Sequence, residues 1–310
     1  MTTKNNNEST VATAAGSTNN LPITIKALIE AGAHFGHQTT KWNPKMLPYI
    51  YGERNGIHII NLDLTLKAWE KARKFIHETI ASGGNILFVG TKQQAREIVK
   101  AESERSESFC VTSRWLGGTL SNFETIKNSI DRMRKLEDLL TKADDETSDV
   151  ELNKKEKLMI RRQLEKLSAN LGGIRNMRKV PDVIFVVDVN KEDIAVAEAE
   201  KLHIPVVALV DTNCNPNKIA YPIPSNDDAN RTVKLFVSTI ADTVIQARAE
   251  YRAKVPANDK QENNSRNSNG GKSKKVDSEI RKDKGDKGDK AVEGAEAGEL
   301  LVSNQEAAVN

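Results

Sequence analysis

Three places in this chain carry residue types at spacings that could do chemistry. The first is Gly90-Thr91-Lys92, where the apolar run Ile86 to Val89 gives way to a helical pattern beginning near Lys92. A strand turning into a helix presents backbone N–H groups and a positive helix end, which suit a phosphate. Lys92 and Arg96, one helical turn apart, add charge to one face. The phosphate could belong to a nucleotide, a sugar or an RNA backbone, and a structural turn with no ligand is the plain alternative. The residues before Lys92 do not complete a Gly-x-x-x-x-Gly-Lys-Ser/Thr loop, and no Gly-x-Gly-x-x-Gly fingerprint follows a predicted strand. An ATPase or a dinucleotide enzyme is therefore disfavoured.

The second place is Arg114-Trp115-Leu116-Gly117-Gly118-Thr119. Arg114 can fork onto a phosphate and Trp115 can stack on a base or ribose; the alternative is a hinge that packs Trp115 against the body. Arg175-Asn176-Met177-Arg178-Lys179 returns from a helical segment that starts near Arg114. Antiparallel helices would bring Arg114, Arg175, Arg178 and Lys179 together at one root. The third place gathers His34, His37, Asp188, Asp193 and Asp211. Asp188 and Asp211 end two predicted parallel strands, and α/β folds bind ligands at that carboxyl edge. Histidine plus carboxylate is a reasonable ligand set for a divalent metal, the one cofactor the residues suggest. Helix capping and loop hydrogen bonding would use the same residues without an ion. No serine or cysteine is recognisably paired with a base, which argues against covalent catalysis.

A further stretch, His34 to Arg54, mixes rings (Phe35, Trp42, Tyr49, Tyr51) with cations (Lys41, Lys45, Arg54) and turn-formers. Irregular and single-stranded RNA asks for that mixture, cations for phosphates and flat faces for unstacked bases. Rings capping the edge of a core would look the same.

The elements that must position these residues can be read from periodicity. Thr24 is placed to cap a short helix ending at Gly32; Ile57 to Asn61 reads as a strand. Asp63 then caps a helix in which Trp69, Ala72, Ile76 and Ile80 recur, stopped by Gly83-Gly84. Ile86 to Val89, Val183 to Val187 and Val206 to Val210 are apolar throughout, with a helix at Lys191 to Leu202 and a last helix from about Asp228 to Ala253. Apolar strands alternating with helices predict a parallel sheet covered on both faces, an α/β body at 21–118 and 178–253. Between its halves, Leu120, Phe123, Ile126, Ile130, Met133, Leu136 and Leu140, then Leu164, Leu167, Leu171, Ile174 and Met177, recur at steps of three and four. That is the pattern of an antiparallel coiled-coil hairpin over 119–177, projecting from the body.

Composition bounds the rest. The chain has 310 residues, enough for one large domain or two small ones, and is 38% hydrophobic, which points to polar segments diluting an ordinary core. Residues 1–20 and 254–310 fit that description and are predicted to be disordered. The formal net charge is only +3, so local patches must carry any nucleic-acid argument. The two cysteines, Cys110 and Cys214, have no metal-type spacing and suit a reducing compartment. No apolar run is long enough for a membrane, and the N-terminus carries no signal-like core, so a cytoplasmic protein is expected.

Several strings, in order, resemble one family. They are Gly32-Ala33-His34-Phe35-Gly36-His37, Trp42-Asn43-Pro44-Lys45-Met46, Ile57-His58-Ile59-Ile60-Asn61-Leu62, Phe88-Val89-Gly90-Thr91-Lys92 and Arg114-Trp115-Leu116-Gly117-Gly118-Thr119. Pro181 to Asp188, Ile204 to Asn213 and Ile223-Pro224-Ser225-Asn226-Asp227-Asp228-Ala229 continue the match. Together they resemble small-subunit ribosomal protein two of bacterial type, from about Leu21 to Ala253. The resemblance implies a flavodoxin-like three-layer body with an inserted hairpin and no catalytic activity. It also implies small-subunit rRNA as partner, and a part in anchoring the mRNA-capturing ribosomal protein one. On that reading the rRNA contacts are assigned to Lys41, Trp42, Lys45, Arg54, Lys92, Arg96, Arg114, Trp115, Arg175, Arg178 and Lys179. The rival classes are an enzyme acting on a phosphorylated small molecule at Gly90-Thr91-Lys92, and a scaffold that binds proteins through the hairpin.

Overall fold

The computed structural model describes residues 23–144 and 152–254. The disorder expected of residues 1–20 and 254–310 falls outside that range except at Lys254, which is helical, and residues 145–151 lie outside it as well.

The chain opens with α1 (Ile25–Ala31), capped by the Thr24 hydroxyl on Ala27 N–H and closed at Gly32, whose φ of 82° suits glycine. A small antiparallel sheet follows, made of β1 (Phe35–Gln38), β2 (Ile50–Arg54) and β3 (Ile57–Ile60) in the order β1-β3-β2. Periodicity predicts only the stretch around β3 as a strand. β1 and β2 are short and interrupted by glycine, which hides their alternation. Helix α2 (Leu62–Ala81) comes next, and its cap is Asn61, not Asp63: the Asn61 side chain accepts the Asp63 N–H at 3.0 Å. Asp63 instead places its charge in the first turn, where the helix dipole favours it.

The main sheet has five parallel strands: β4 (Ile86–Val89), β5 (Phe109–Val111), β6 (Val183–Val187), β7 (Val206–Val210) and β8 (Tyr221–Pro224), in the order β5-β4-β6-β7-β8. The three central strands have every residue buried, the reason their sequences are uninterruptedly apolar. β8 carries Pro222 and Pro224, tolerable because it is an edge strand.

Alternate residues of each strand serve two cores. Ile86, Phe88, Phe185, Val207 and Leu209 pack with Trp69 and Ile76 of α2, Val99 of α3 (Gln93–Arg105), and Phe236 and Ile240 of α7 (Asn230–Lys254). Leu87, Val89, Ile184, Val186 and Ala208 pack on the other face with Ala195, Val196 and Ala199 of α6 (Asp193–Lys201). Into that second core also come Trp115, Leu120 and the first half of α4 (Phe123–Asp144), through Ile126, Ile130 and Met133. Helix α5 (Lys154–Leu171) runs antiparallel to α4: Lys157 near its start donates to the Ala143 carbonyl near the end of α4. Arg175, just beyond α5, pairs with Glu137 in the middle of α4. The helical pair thus does not simply project, because its root is part of the body's core. The α5 helix ends at Leu171, and Gly172–Ile174 forms a 3-10 turn that seats Ile174 and Met177 in the core.

Candidate nucleic-acid interface and the carboxylate cluster at the sheet edge

At the end of β4, Gly90 lies close under α3: a Cβ there would stand 3.0 Å from Val99 Cγ2 and 3.3 Å from Ala95 Cβ. The turn therefore has the expected shape, but its anion position is filled by the chain itself. The Thr91 N–H and hydroxyl both donate to Oε1 of Glu192, at 3.0 and 2.5 Å. Glu192 is 2% exposed. Burial pushes its carboxyl up while the two Thr91 donors hold it down. Arg96 Nε and Lys191 Nζ donate to the Thr91 carbonyl. The phosphate cradle expected at Gly90-Thr91-Lys92 is in this way closed by Glu192, because an internal carboxylate satisfies the donors a phosphate would use.

Lys92 is engaged as well. Its Nζ lies 2.6 Å from Asp228 Oδ1, 2.8 Å from Asp227 Oδ1 and 3.3 Å from Asp188 Oδ2. Burial alone would lower the Lys92 pKa, but the surrounding carboxylates, Asp227 first, raise it overall. Beside it, His37 Nδ1 lies 3.0 Å from Asp211 Oδ2 and Nε2 lies 3.5 Å from Asp228 Oδ2. The Asp211 hydrogen bond is the main reason the imidazole is raised above its ordinary value. Asp227, with no exposed surface, is pushed up to about 7 by burial and by Asp211 and Asp188, against the pull of Lys92. The same site pushes the Cys214 thiol up to about 12, chiefly by burial. Burial also raises Cys110, so neither cysteine is a ready thiolate nucleophile.

The edge that α/β folds use for ligands is thus a cluster of four aspartates balanced by one lysine and one histidine. The strand ends supply Asp188 and Asp211, and the loop after β8 supplies Asp227 and Asp228. Thr212 ties this edge to the small sheet, accepting the His37 N–H at 2.8 Å through its hydroxyl and the Asn43 N–H through its carbonyl. Gly36 permits the approach, since a Cβ there would stand 2.6 Å from Thr212 Cγ2. One ligand atom each from His37, Asp211 and Asp227 lie within 4.8 Å of one another, as do those of Asp188, Cys214 and Asp227.

Two residues expected in this constellation are elsewhere. His34 lies in the turn before β1, and only His37, within the strand, reaches the aspartates. The His34 ring lines a cavity with Ile25, Ile29 and Tyr51, and burial lowers its pKa. Asp193 is exposed at the start of α6, where its carboxylate accepts the Ile194 N–H.

The cations divide by exposure. Lys41, Lys45, Arg54, Arg96, Arg114, Arg175, Arg178 and Lys179 are all exposed. Trp42 is half-buried, its ring 5.2 Å from that of His58. Trp115 is 6% exposed and donates its indole N–H to Glu198, so its faces belong to the core and are not offered to a base. Arg175 pairs with Glu137 and Lys179 with Asp182. The cavity at the helical root is lined by Lys127, Arg134, Arg175 and Arg178, and not by Arg114 or Lys179.

Sequence reasoning missed Glu198, whose carboxylate organises the entry to the helical pair. Oε1 accepts from Trp115 Nε1 at 3.2 Å and Gly118 N at 2.7 Å; Oε2 accepts from Leu120 N at 2.9 Å, Ser121 N at 3.1 Å and Ser121 Oγ at 3.2 Å. Burial works against the charge, but the backbone N–H donors prevail and hold this carboxyl below its usual value. Its signal was faint: it follows Ala195 by three and precedes Ala199 on a helix, which places a charge on the buried face.

The chain is thus a layered α/β protein with a helical pair between its strands, a self-paired sheet edge and cations exposed on its surface. The family described as ribosomal protein S2 matches residues 28–247. The small ribosomal subunit protein uS2 of Solidesulfovibrio magneticus is 51% identical over 240 residues, covering 77% of this chain and 92% of that protein. The chain belongs to the ribosomal protein S2 family, whose members are structural and not enzymatic. Among the described residues no helix is long and apolar enough to cross a membrane.

Proposed function

We propose that this chain binds small-subunit rRNA in the cytoplasm and helps to hold ribosomal protein S1 on the subunit. Family membership supports the small-subunit assignment. The observation that carries the RNA reading is the sorting of its cations. Lys92 is consumed by three aspartates. Lys41, Lys45, Arg54, Arg114 and Arg178 are exposed with no ion-pair partner among the described residues. Cations left unpaired at the surface are the ones that can displace counterions from phosphates. Trp42 and Arg96 lie near enough to the surface to join them; Arg175 and Lys179 would contribute by exchanging an internal carboxylate for a phosphate. The strand order, counted from β4, is 2-1-3-4-5, which supports reading the body as flavodoxin-like. The α4–α5 pair is read as a coiled-coil arm of that body.

For the protein partner, the support is an apolar patch. Ile25 is 42%, Ile29 52%, Phe35 47% and Tyr51 80% exposed. Ile25, Ile29 and Tyr51 line one cavity with His34 and Ile59. Clustered apolar exposure suits a protein surface better than RNA.

The deciding experiment titrates naked small-subunit rRNA over a range of salt concentrations with the parent chain and with Lys41→Ala/Lys45→Ala/Arg54→Ala/Arg114→Ala. Weaker binding to naked rRNA and a shallower salt dependence support the reading; identical affinity and slope overturn it. Tyr51→Asp should release protein S1 while leaving rRNA binding intact.

A second reading concerns the edge cluster. The buried Asp227 Oδ2 has no hydrogen-bond partner, and Asp227 shares one group with His37 and Asp211 and a second with Asp188 and Cys214. We read this as a weak site for a divalent cation. Metal analysis of the full chain against Asp227→Asn tests it, and equal metal content in both would discard it.

A further inference from the structure

We propose that the root of the α4–α5 pair holds a site for one phosphodiester of an RNA backbone, formed by Lys127 and Arg178. The proposal rests on the rRNA-binding reading above and narrows it to a place and a chemical group.

The site is a cavity of about 210 Å³ whose wall includes Lys127, Asp131, Arg134, Arg175 and Arg178, over a floor of Ile130 and Met177. Lys127 comes from the first turns of α4, and Arg178 from the return segment beyond α5. Four cations face two nearby carboxylates, Asp131 and Glu137, and the pairing is selective. Arg175 takes Glu137 at 2.5 Å, and Arg134 approaches Asp131 at 3.6 Å. Lys127 and Arg178 have no ion-pair partner among the described residues. The paired arginines serve as framework: Arg134 also donates to the Arg175 carbonyl at 2.6 Å, fixing the backbone that leads to Arg178.

What remains is a positive concavity with two unspent donors. Its size falls below the roughly 300–1,000 Å³ of ordinary small-molecule pockets, so it suits a single group better than a whole nucleotide. No aromatic side chain lines it, which leaves a base nothing to stack on. Its apolar floor, with Ile130 2% and Met177 3% exposed, keeps water from one side and strengthens the charge interaction. A phosphate group, presented by a folded RNA at its surface, offers several acceptor oxygens to these two donors.

The test titrates small-subunit rRNA with the full chain over a range of salt concentrations, comparing the parent with Lys127→Ala/Arg178→Ala. Arg231→Ala/Lys234→Ala, in the region between α1 and α7, serves as control. Removing one phosphate interaction should lower the slope of log affinity against log salt by about 1, with about tenfold weaker binding at moderate salt. Lys127→Arg/Arg178→Lys should restore most of that slope, which a purely structural role would not do. If the alanine pair leaves the slope unchanged while the parent still binds with strong salt dependence, the phosphodiester site is wrong and the rRNA reading survives. If the parent shows no salt-dependent rRNA binding, that reading fails and takes the site with it. Inorganic phosphate at millimolar concentration that abolishes the difference between parent and variant would reassign the cavity to a free anion and overturn the RNA proposal.

Discussion

The Lys92 ammonium lies 2.8 Å from Oδ1 of Asp227, a carboxylate with no exposed surface. Even so, Asp227 is pushed up to about 7, because burial, Asp211 and Asp188 outweigh that one cation. An acid whose folded pKa is raised stabilises the fold fully below its unfolded value and loses that contribution as pH rises through the folded one. His37, also raised, acts in the same direction above 6.5. Stability should therefore decline as pH rises from about 3.8 to about 7, with His37 extending the decline above 6.5. Asp227→Asn should flatten that decline, as followed by urea melts at several pH values; parallel curves for parent and variant would count against the cluster.

Replacing Lys92 by methionine keeps the stem and removes the charge. Asp188, Asp227 and Asp228 then lose their shared ammonium, at a cost of about 3–5 kcal/mol. The loss should be larger at pH 8 than at pH 5.5, where Asp227 can hold a proton. The same variant should leave the salt slope of rRNA binding unaltered, since the ammonium is already spent inside the protein. A reduced slope would return Lys92 to the RNA-facing set.

Glu198→Gln should destabilise by about 2–3 kcal/mol, because an amide accepts through one oxygen only and turns its NH2 toward backbone donors. Glu200, exposed on the same helix, supplies the control. Thermal melts of Glu198→Gln and Glu200→Gln should separate clearly; equal melting would mean the five hydrogen bonds carry no net stability.

Gly173 meets the carbonyl of Cys110 so closely that a methyl group at its Cα would overlap it. Gly173→Ala should cost about 1–3 kcal/mol through displacement of the 3-10 turn. Its urea midpoint can be compared with that of Gly117→Ala, where a methyl meets open space. A difference within error would show that the turn relaxes freely.

How far the sequence can be read follows from burial. Val183–Val187 and Val206–Val210 are legible to the residue because central strands are apolar on both faces. β5 has three residues and β8 two prolines, so neither forms a run. The edge constellation is half legible: His37, Asp188 and Asp211 stand out by type and position, whereas Asp227 and Asp228 sit in a family-like string with nothing to mark their role. Lys92 and Trp115 look like RNA contacts because their types suit phosphates and bases. Type alone cannot show that Asp227 and Glu198, more than 80 residues away in each case, already hold them.

The grip of Glu198 has a mechanical consequence. Helix α4 has 22 residues, so at 1.5 Å per residue it is a lever about 33 Å long. A tilt of about 5° at its root would sweep its far end through about 3 Å. That is a whole hydrogen-bond length at the far end of the helix. One buried carboxylate, together with the packing of Ile126, Ile130 and Met133, thus sets the direction in which the far half of α4 runs.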